Sequence, residues 1–176
     1  MGEETGRMDV VLRPATLQDG VEIWSMIQEI GPGENGFHNE GYETPLSRFD
    51  EFLRRLVDNS RGRGLRRGLV PQTTFWAFVD GRPVGICKIR HHLTDALRVS
   101  GGHIGYSIRP SERGKGYGTR MLAEALVRAR EIGISWVLIT VNEDNPASWR
   151  MVEANAGSLE KVSDGKRYYR LVTRGP

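Results

Sequence analysis

The feature that most constrains this chain is the run Arg113-Gly114-Lys115-Gly116-Tyr117-Gly118, set between a short strand pattern and a helical one. Glycine at three alternate positions lets the main chain approach an anion without Cβ obstruction, and Arg113 and Lys115 add positive charge. A strand, such a loop and then a helix beginning near Thr119 aim unpaired N–H groups and a helix dipole at one point, which binds phosphate. The spacing is not that of the commoner nucleotide loops. A dinucleotide fingerprint needs glycine where Thr119 stands, and a Walker loop needs Gly-Lys-Ser/Thr where Gly118-Thr119-Arg120 stands.

Patterning around the loop predicts the rest of the order. Val10 to Pro14 reads as a short strand, and Thr16 with Asp19 three residues on predicts the cap of a helix carrying Ile23, Trp24, Ile27 and Ile30. A second helix is expected around Phe49, Phe52, Leu53, Leu56 and Val57. Thr73–Val79 and Val84–Arg90 around Asp80-Gly81 predict a hairpin, and a loop through Thr94-Asp95 and Gly101-Gly102 leads to a strand from His103 to Arg109. From Thr119 to Gly133 apolar residues recur at helical spacing. Trp136–Val141 is nearly all apolar, which predicts a central strand covered on both faces in a mixed sheet. Asn145-Pro146 predicts a capped short helix, and Ser158–Val162 with Arg167–Val172 around Asp164-Gly165 a closing hairpin.

At 176 residues one domain is expected, spanning 1–176, with residues 1–8 as a disordered tail. The 38% hydrophobic and 27% charged fractions match ordinary soluble proteins. One cysteine, Cys87, sits in an apolar run and implies a reducing, cytoplasmic setting. The polar N-terminus predicts neither signal peptide nor membrane role. Arg61 to Gly68 is a glycine-broken basic run without aromatic residues for stacking, so it reads as a loop and no nucleic-acid partner is expected. Adjacent His91 and His92 point to opposite faces of a strand and no second ligand pair accompanies them, so no metal is expected.

Arg113, Gly116 and Gly118 fill the pattern Arg/Gln, two residues, Gly, one residue, Gly/Ala, and residues 72 to 162 supply the strand, helix and Asn-capped helix that accompany it. In this the chain resembles the GNAT superfamily of acetyl-CoA-dependent N-acetyltransferases. The resemblance implies a mixed α/β (α+β) fold, a mostly antiparallel twisted sheet of about six to seven strands flanked by about four helices. It implies acetyl-CoA as cosubstrate, held by three groups of residues. Tyr106, Ser107 and Ile108 would line the pantetheine arm. The stretch Arg113, Gly114, Lys115, Gly116, Tyr117, Gly118 and Thr119 would hold the pyrophosphate, and Asn142, Asn145 and Ser148 would meet the other side. Residues 10–60 would form the acceptor side, with a small-molecule or peptide amine as partner. A homodimer is compatible with the resemblance.

The sequence departs from the family where a tyrosine acid is usual: Val152 stands seven residues after Asn145. No glutamate base lies between Gly101 and Ile108 either, which leaves His103 as the candidate base, with a structural histidine as the other reading. Ser148 reads either as a cofactor contact or as a helix-start surface residue. Glu34, His38, Glu40, Tyr42 and Glu43 fall where the resemblance puts acceptor contacts, and a solvated loop explains them equally. Direct acetyl transfer by positioning is expected, and a non-catalytic acyl-CoA-binding sensor on the same fold is the alternative.

Overall fold

The computed structural model describes residues 9–175, so the expected tail at 1–8 lies outside the described residues. Strand β1 (Val11–Pro14) is followed by helices α1 (Val21–Ile30) and α2 (Phe49–Ser60), then strands β2 (Gln72–Val79) and β3 (Arg82–Arg90). A short helix α3 (Asp95–Val99) leads to β4 (Ile104–Ile108), helix α4 (Tyr117–Ile132), β5 (Trp136–Asn142), α5 (Pro146–Ala154), β6 (Ser158–Ser163) and β7 (Lys166–Val172). Both Asp-Gly turns behave as expected: Asp80, Gly81, Asp164 and Gly165 all have positive φ, the conformation that matches the twist of a two-residue hairpin.

The strands form two antiparallel sheets, ordered β1-β2-β3-β4 and β5-β7-β6. Alternation along β2 and β3 divides the core. Phe75, Ala77, Cys87 and Ile89 face the cluster built around Met121, Leu122, Ala125 and Leu126 of α4. Trp76 and Ile86 face the opposite cluster, built by α1 and α2 through Ile27, Phe52, Leu53 and Leu56. Glu29 of α1 accepts from Arg109 at the end of β4, so α1 is fixed to the strand that precedes the glycine loop.

Four expectations are corrected. The Trp136–Val141 strand is not ladder-paired on both sides of one mixed sheet: β5 pairs only with β7, and its other edge faces β4 across a split. Thr16 and Asp19 do not cap α1, which starts after Gly20 with no side-chain cap. Asp19 turns inward instead and accepts from Trp76 Nε1 at 2.7 Å and from Thr16 N–H at 2.7 Å. The 91–102 connection contains α3, capped by Thr94, whose Oγ1 accepts from Leu97 N–H. Finally, α4 begins at Tyr117 rather than Thr119, because the Tyr117 ring is buried in the α4 core and Gly116 supplies the turn into the helix.

Candidate active site

His103 fastens the two sheets together at the start of β4. Its N–H donates to the Leu138 carbonyl at 2.7 Å, and Leu138 N–H donates back to His103 Nδ1 at 2.9 Å. Gly102 makes this approach possible, since a Cβ there would lie 2.3 Å from the Leu138 oxygen. Beyond that tie β4 and β5 form no ladder with each other, and a cavity of about 550 Å³ occupies the split. Its volume suits a bound small molecule.

The cavity collects nearly all the residues that the sequence pointed to. Tyr106, Ser107 and Ile108 line it from β4, and Asn142, Asn145 and Ser148 line it from β5 and the start of α5. Arg113, Gly114, Gly116, Tyr117, Gly118 and Thr119 close one end. Gly114 and Gly116 both have φ of 77°, and nothing lies within 4 Å of a Cβ placed on either. Gly116 is the N-cap of α4 and no side chain caps that end, so the first-turn amides face the cavity end. Lys115 is not among the lining residues; its Nζ donates to Glu112 at 2.7 Å. A glycine cradle at an uncapped helix start fits a pyrophosphate, and the unpaired strand edges fit an extended arm that pairs as an added strand.

The hydroxyls of Tyr106 and Ser148 meet at 2.6 Å. Burial pushes the Tyr106 phenol up to about 12, with the Ser148 bond acting in the opposite direction, so the phenol keeps its proton at neutral pH. Val152, at the position where the family carries its tyrosine, is fully buried in the core. Asn145 caps α5 by accepting from Ser148 N–H, which fixes where the serine sits.

His103 stands apart. It does not line the cavity, its Nδ1 is occupied by a backbone N–H, and its ring packs edge-on to Trp136. Burial first, then the nearby Arg98, Arg90 and His92, lower its pKa to about 4. It is a neutral side chain that joins the sheets. His91 is likewise engaged, with Nε2 2.8 Å from Thr73 Oγ1.

The cavity is also bounded by β3 and by the loop after α1, whose Glu34 pairs with Arg113 of the cradle at 2.6 Å. Glu34, Phe37, His38 and Glu40 line it, facing Lys88 and Arg90. Lys88 is the residue that sequence reasoning missed. It is 5% exposed, donates to the His38 carbonyl at 2.7 Å and Glu40 Oε2 at 2.8 Å, and lies over the Phe37 ring. Burial lowers its pKa, with Glu40 opposing. Its signal was a lone lysine inside the apolar strand Gly85-Ile86-Cys87-Lys88-Ile89, a placement that requires a buried partner. Asn39 completes the loop's attachment by donating to the carbonyls of Ile27 and Gly31.

A split sheet, a glycine cradle at a helix start and a cavity running between them define the acyltransferase class to which GNAT proteins belong. The acetyltransferase (GNAT) family model matches residues 38–157, and this chain belongs to that family. An L-2,4-diaminobutyric acid acetyltransferase of Nocardia farcinica is 38% identical over 88 residues, a match spanning 49% of this chain and 44% of that protein. The fold also matches RimL, a ribosomal L7/L12 alpha-N-protein acetyltransferase solved with coenzyme A, with TM-score 0.67 and 16% identity over 93% of this chain and 94% of that one. The Campylobacter jejuni N-acetyltransferase PseH, solved with acetyl coenzyme A, matches with TM-score 0.61 and 15% identity over 94% of this chain and 99% of that one. No helix among the described residues is long and apolar enough to cross a membrane.

Proposed function

We propose that this chain is an N-acetyltransferase that transfers the acetyl group of acetyl-CoA directly to an amine, small molecule or peptide. The observation that carries this reading is the single cavity that joins the glycine cradle of Arg113–Thr119 to the acidic loop at Glu34 and Glu40. The loop amides and Arg113 hold the pyrophosphate, and the facing edges of β4 and β5 take the pantetheine. Residues 10–60 form the acceptor side and 72–162 the cofactor core. The Nocardia relative and the two structural neighbours, named for a diamino acid and for amine acetylation, support an amine acceptor.

Bound acetyl-CoA supplies a thioester whose carbonyl carbon the neutral amine attacks, forming the C–N bond as the C–S bond breaks and the amine loses a proton. The cavity holds the two reactants adjacent, which supplies much of the acceleration. Ser148, backed by Tyr106, relays that proton: its hydroxyl gives one to the departing sulfur and is restored, by way of solvent, with the one the amine loses. This pair answers the feature that favoured a sensor, namely valine at the family's tyrosine position. His103 is assigned to joining the sheets. Cys87 is fully buried, and burial pushes its thiol up to about 12, which disfavours a covalent acyl-enzyme. The lone buried thiol also supports a cytoplasmic location, and a homodimer is checked by sedimentation.

The first test is thermal unfolding with acetyl-CoA and with adenosine as control. Saturation at 100 times the dissociation constant should add about 2.7 kcal/mol, a rise of several degrees. The second is thiol release across a panel of amines. A rise without turnover on any amine favours the sensor; no rise removes the cofactor reading.

A further inference from the structure

An alkylamine is mostly an ammonium at neutral pH, so it sheds one proton before it can attack and a second as the C–N bond forms. Ser148 and solvent carry the second. His103 lies outside the cavity with Nδ1 engaged, so it does not take the first.

The β3–β4 ladder shows where a group for the first proton would have to stand. Lys88 pairs with Gly105 in that ladder, so what Lys88 holds lies over the middle of β4. Its Nζ holds the His38 carbonyl at 2.7 Å, and a Cβ on Gly105 would sit 3.7 Å from the Phe37 ring. Residues 37 and 38 therefore lie beside Tyr106, whose hydroxyl meets Ser148, the proton donor to the departing sulfur. The cradle meets β4 further along, where Arg113 Nε donates to the Ile108 carbonyl, about 10 Å from Gly105 at the rise of a strand. The charged groups around this point are already engaged: Glu40 by Lys88, Glu34 by Arg113, and Arg90 by the carbonyls of Gly101 and Gly102. Tyr106 keeps its proton. His38 lines the cavity, is exposed, and its ring has no hydrogen-bond or ionic partner among the described residues. Imidazole is the side chain that both takes and gives a proton near neutral pH.

Resting on the acetyltransferase reading above, we infer that His38 is the general base that takes the proton of the incoming ammonium, and that Lys88 positions it through the His38 carbonyl and Glu40. The ammonium N–H bond breaks toward an imidazole nitrogen and leaves its electron pair on the amine. The imidazolium then returns the proton to solvent. The neutral amine attacks the thioester, and its second proton follows the Ser148 route.

The experiment measures kcat/KM for propylamine, an ammonium at neutral pH, and for 2,2,2-trifluoroethylamine, which is already neutral there. Both are tried on the unaltered protein, His38→Gln and Lys88→Met, with the acetyl-CoA dissociation constant of each by calorimetry. His38 is exposed, so His38→Gln keeps the fold. That variant should lose about a hundredfold on propylamine and less than about threefold on trifluoroethylamine, since only the first needs a base to become a nucleophile. Its deficit on propylamine should shrink as the pH is raised toward about 10, where the amine sheds its proton unaided. Its acetyl-CoA affinity should be unchanged. Lys88→Met should show the same split between the amines, whereas a merely structural defect lowers both alike; a Lys88→Met variant without the split removes Lys88 from the inference. Equal losses on the two amines in His38→Gln, no loss on either, or turnover of neither by the unaltered protein overturns the inference while leaving cofactor binding intact. Absence of acetyl-CoA binding to the unaltered protein overturns the acetyltransferase reading as well.

Discussion

The hydroxyls of Tyr106 and Ser148 lie 2.6 Å apart, joining β4 to α5 across the cavity between the two sheets. Removing either oxygen leaves the other without its partner, so the two should act as one unit in the rate. Tyr106→Phe and Ser148→Ala are each expected to lower kcat about ten- to hundredfold, with the double variant no worse than the deeper single one. Steady-state thiol release checks this, and fully additive losses would separate the two residues. Because burial holds the Tyr106 proton to about 12, this pair should cause no fall in rate through the ordinary phenol range.

Gly116 combines a φ of 77° with the N-cap position of α4. Gly116→Val should cost about 1–2 kcal/mol of backbone strain and abolish the rise in Tm caused by acetyl-CoA. Gly133→Ala is the control, since Gly133 caps the other end of α4 with φ of 100°. It should lose comparable stability and keep the full response. Equal responses in both variants would refute a phosphate cradle at Gly116.

His103 carries a pH dependence of known sign. Its pKa in the folded protein, about 4, lies below the unfolded value of about 6.5, so the unfolded chain binds more protons between them. The contribution is complete above the unfolded value and is lost as pH falls toward about 4. Denaturant unfolding from pH 7 to pH 4 should show a decline of up to about 1.4 kcal/mol per pH unit from this group. The decline should flatten in His103→Gln, whose rate at neutral pH should stay within about tenfold, below the range for a lost general base. A larger loss with the neutral-pH limb of the rate profile removed would return His103 to the reaction.

Cys87 is enclosed and its thiol is pushed up to about 12 by burial. The folded protein should react with a disulfide-type thiol reagent only as fast as it opens, and Cys87→Ala should retain kcat within a few fold. Rapid mixing should show no burst of CoA release ahead of steady state.

Much of this molecule was legible locally. The helical spacing of apolar residues in α4, the two Asp-Gly turns and the Asn145-Pro146 start each act within a few residues, so periodicity and turn chemistry exposed them. Short-range signals misled where a distant partner was stronger. Thr16 and Asp19 have the spacing of a cap, yet the Asp19 carboxylate serves Trp76, 57 positions away. The helix at Asp95–Val99 did carry a cap signal at Thr94, but five residues show too little periodicity to stand out.

The sequence by itself determined most of the elements and the glycine cradle, because these follow from side-chain spacing and from the backbone freedom of particular residues. Tertiary structure decided the split between β4 and β5, the insertion of β7 between β5 and β6, and the pairs Tyr106 with Ser148 and Arg113 with Glu34. Those depend on register and on the docking of segments far apart in the chain. Burial then decides between alternatives that spacing leaves equal: it made His103 a neutral brace and Lys88 an internal anchor.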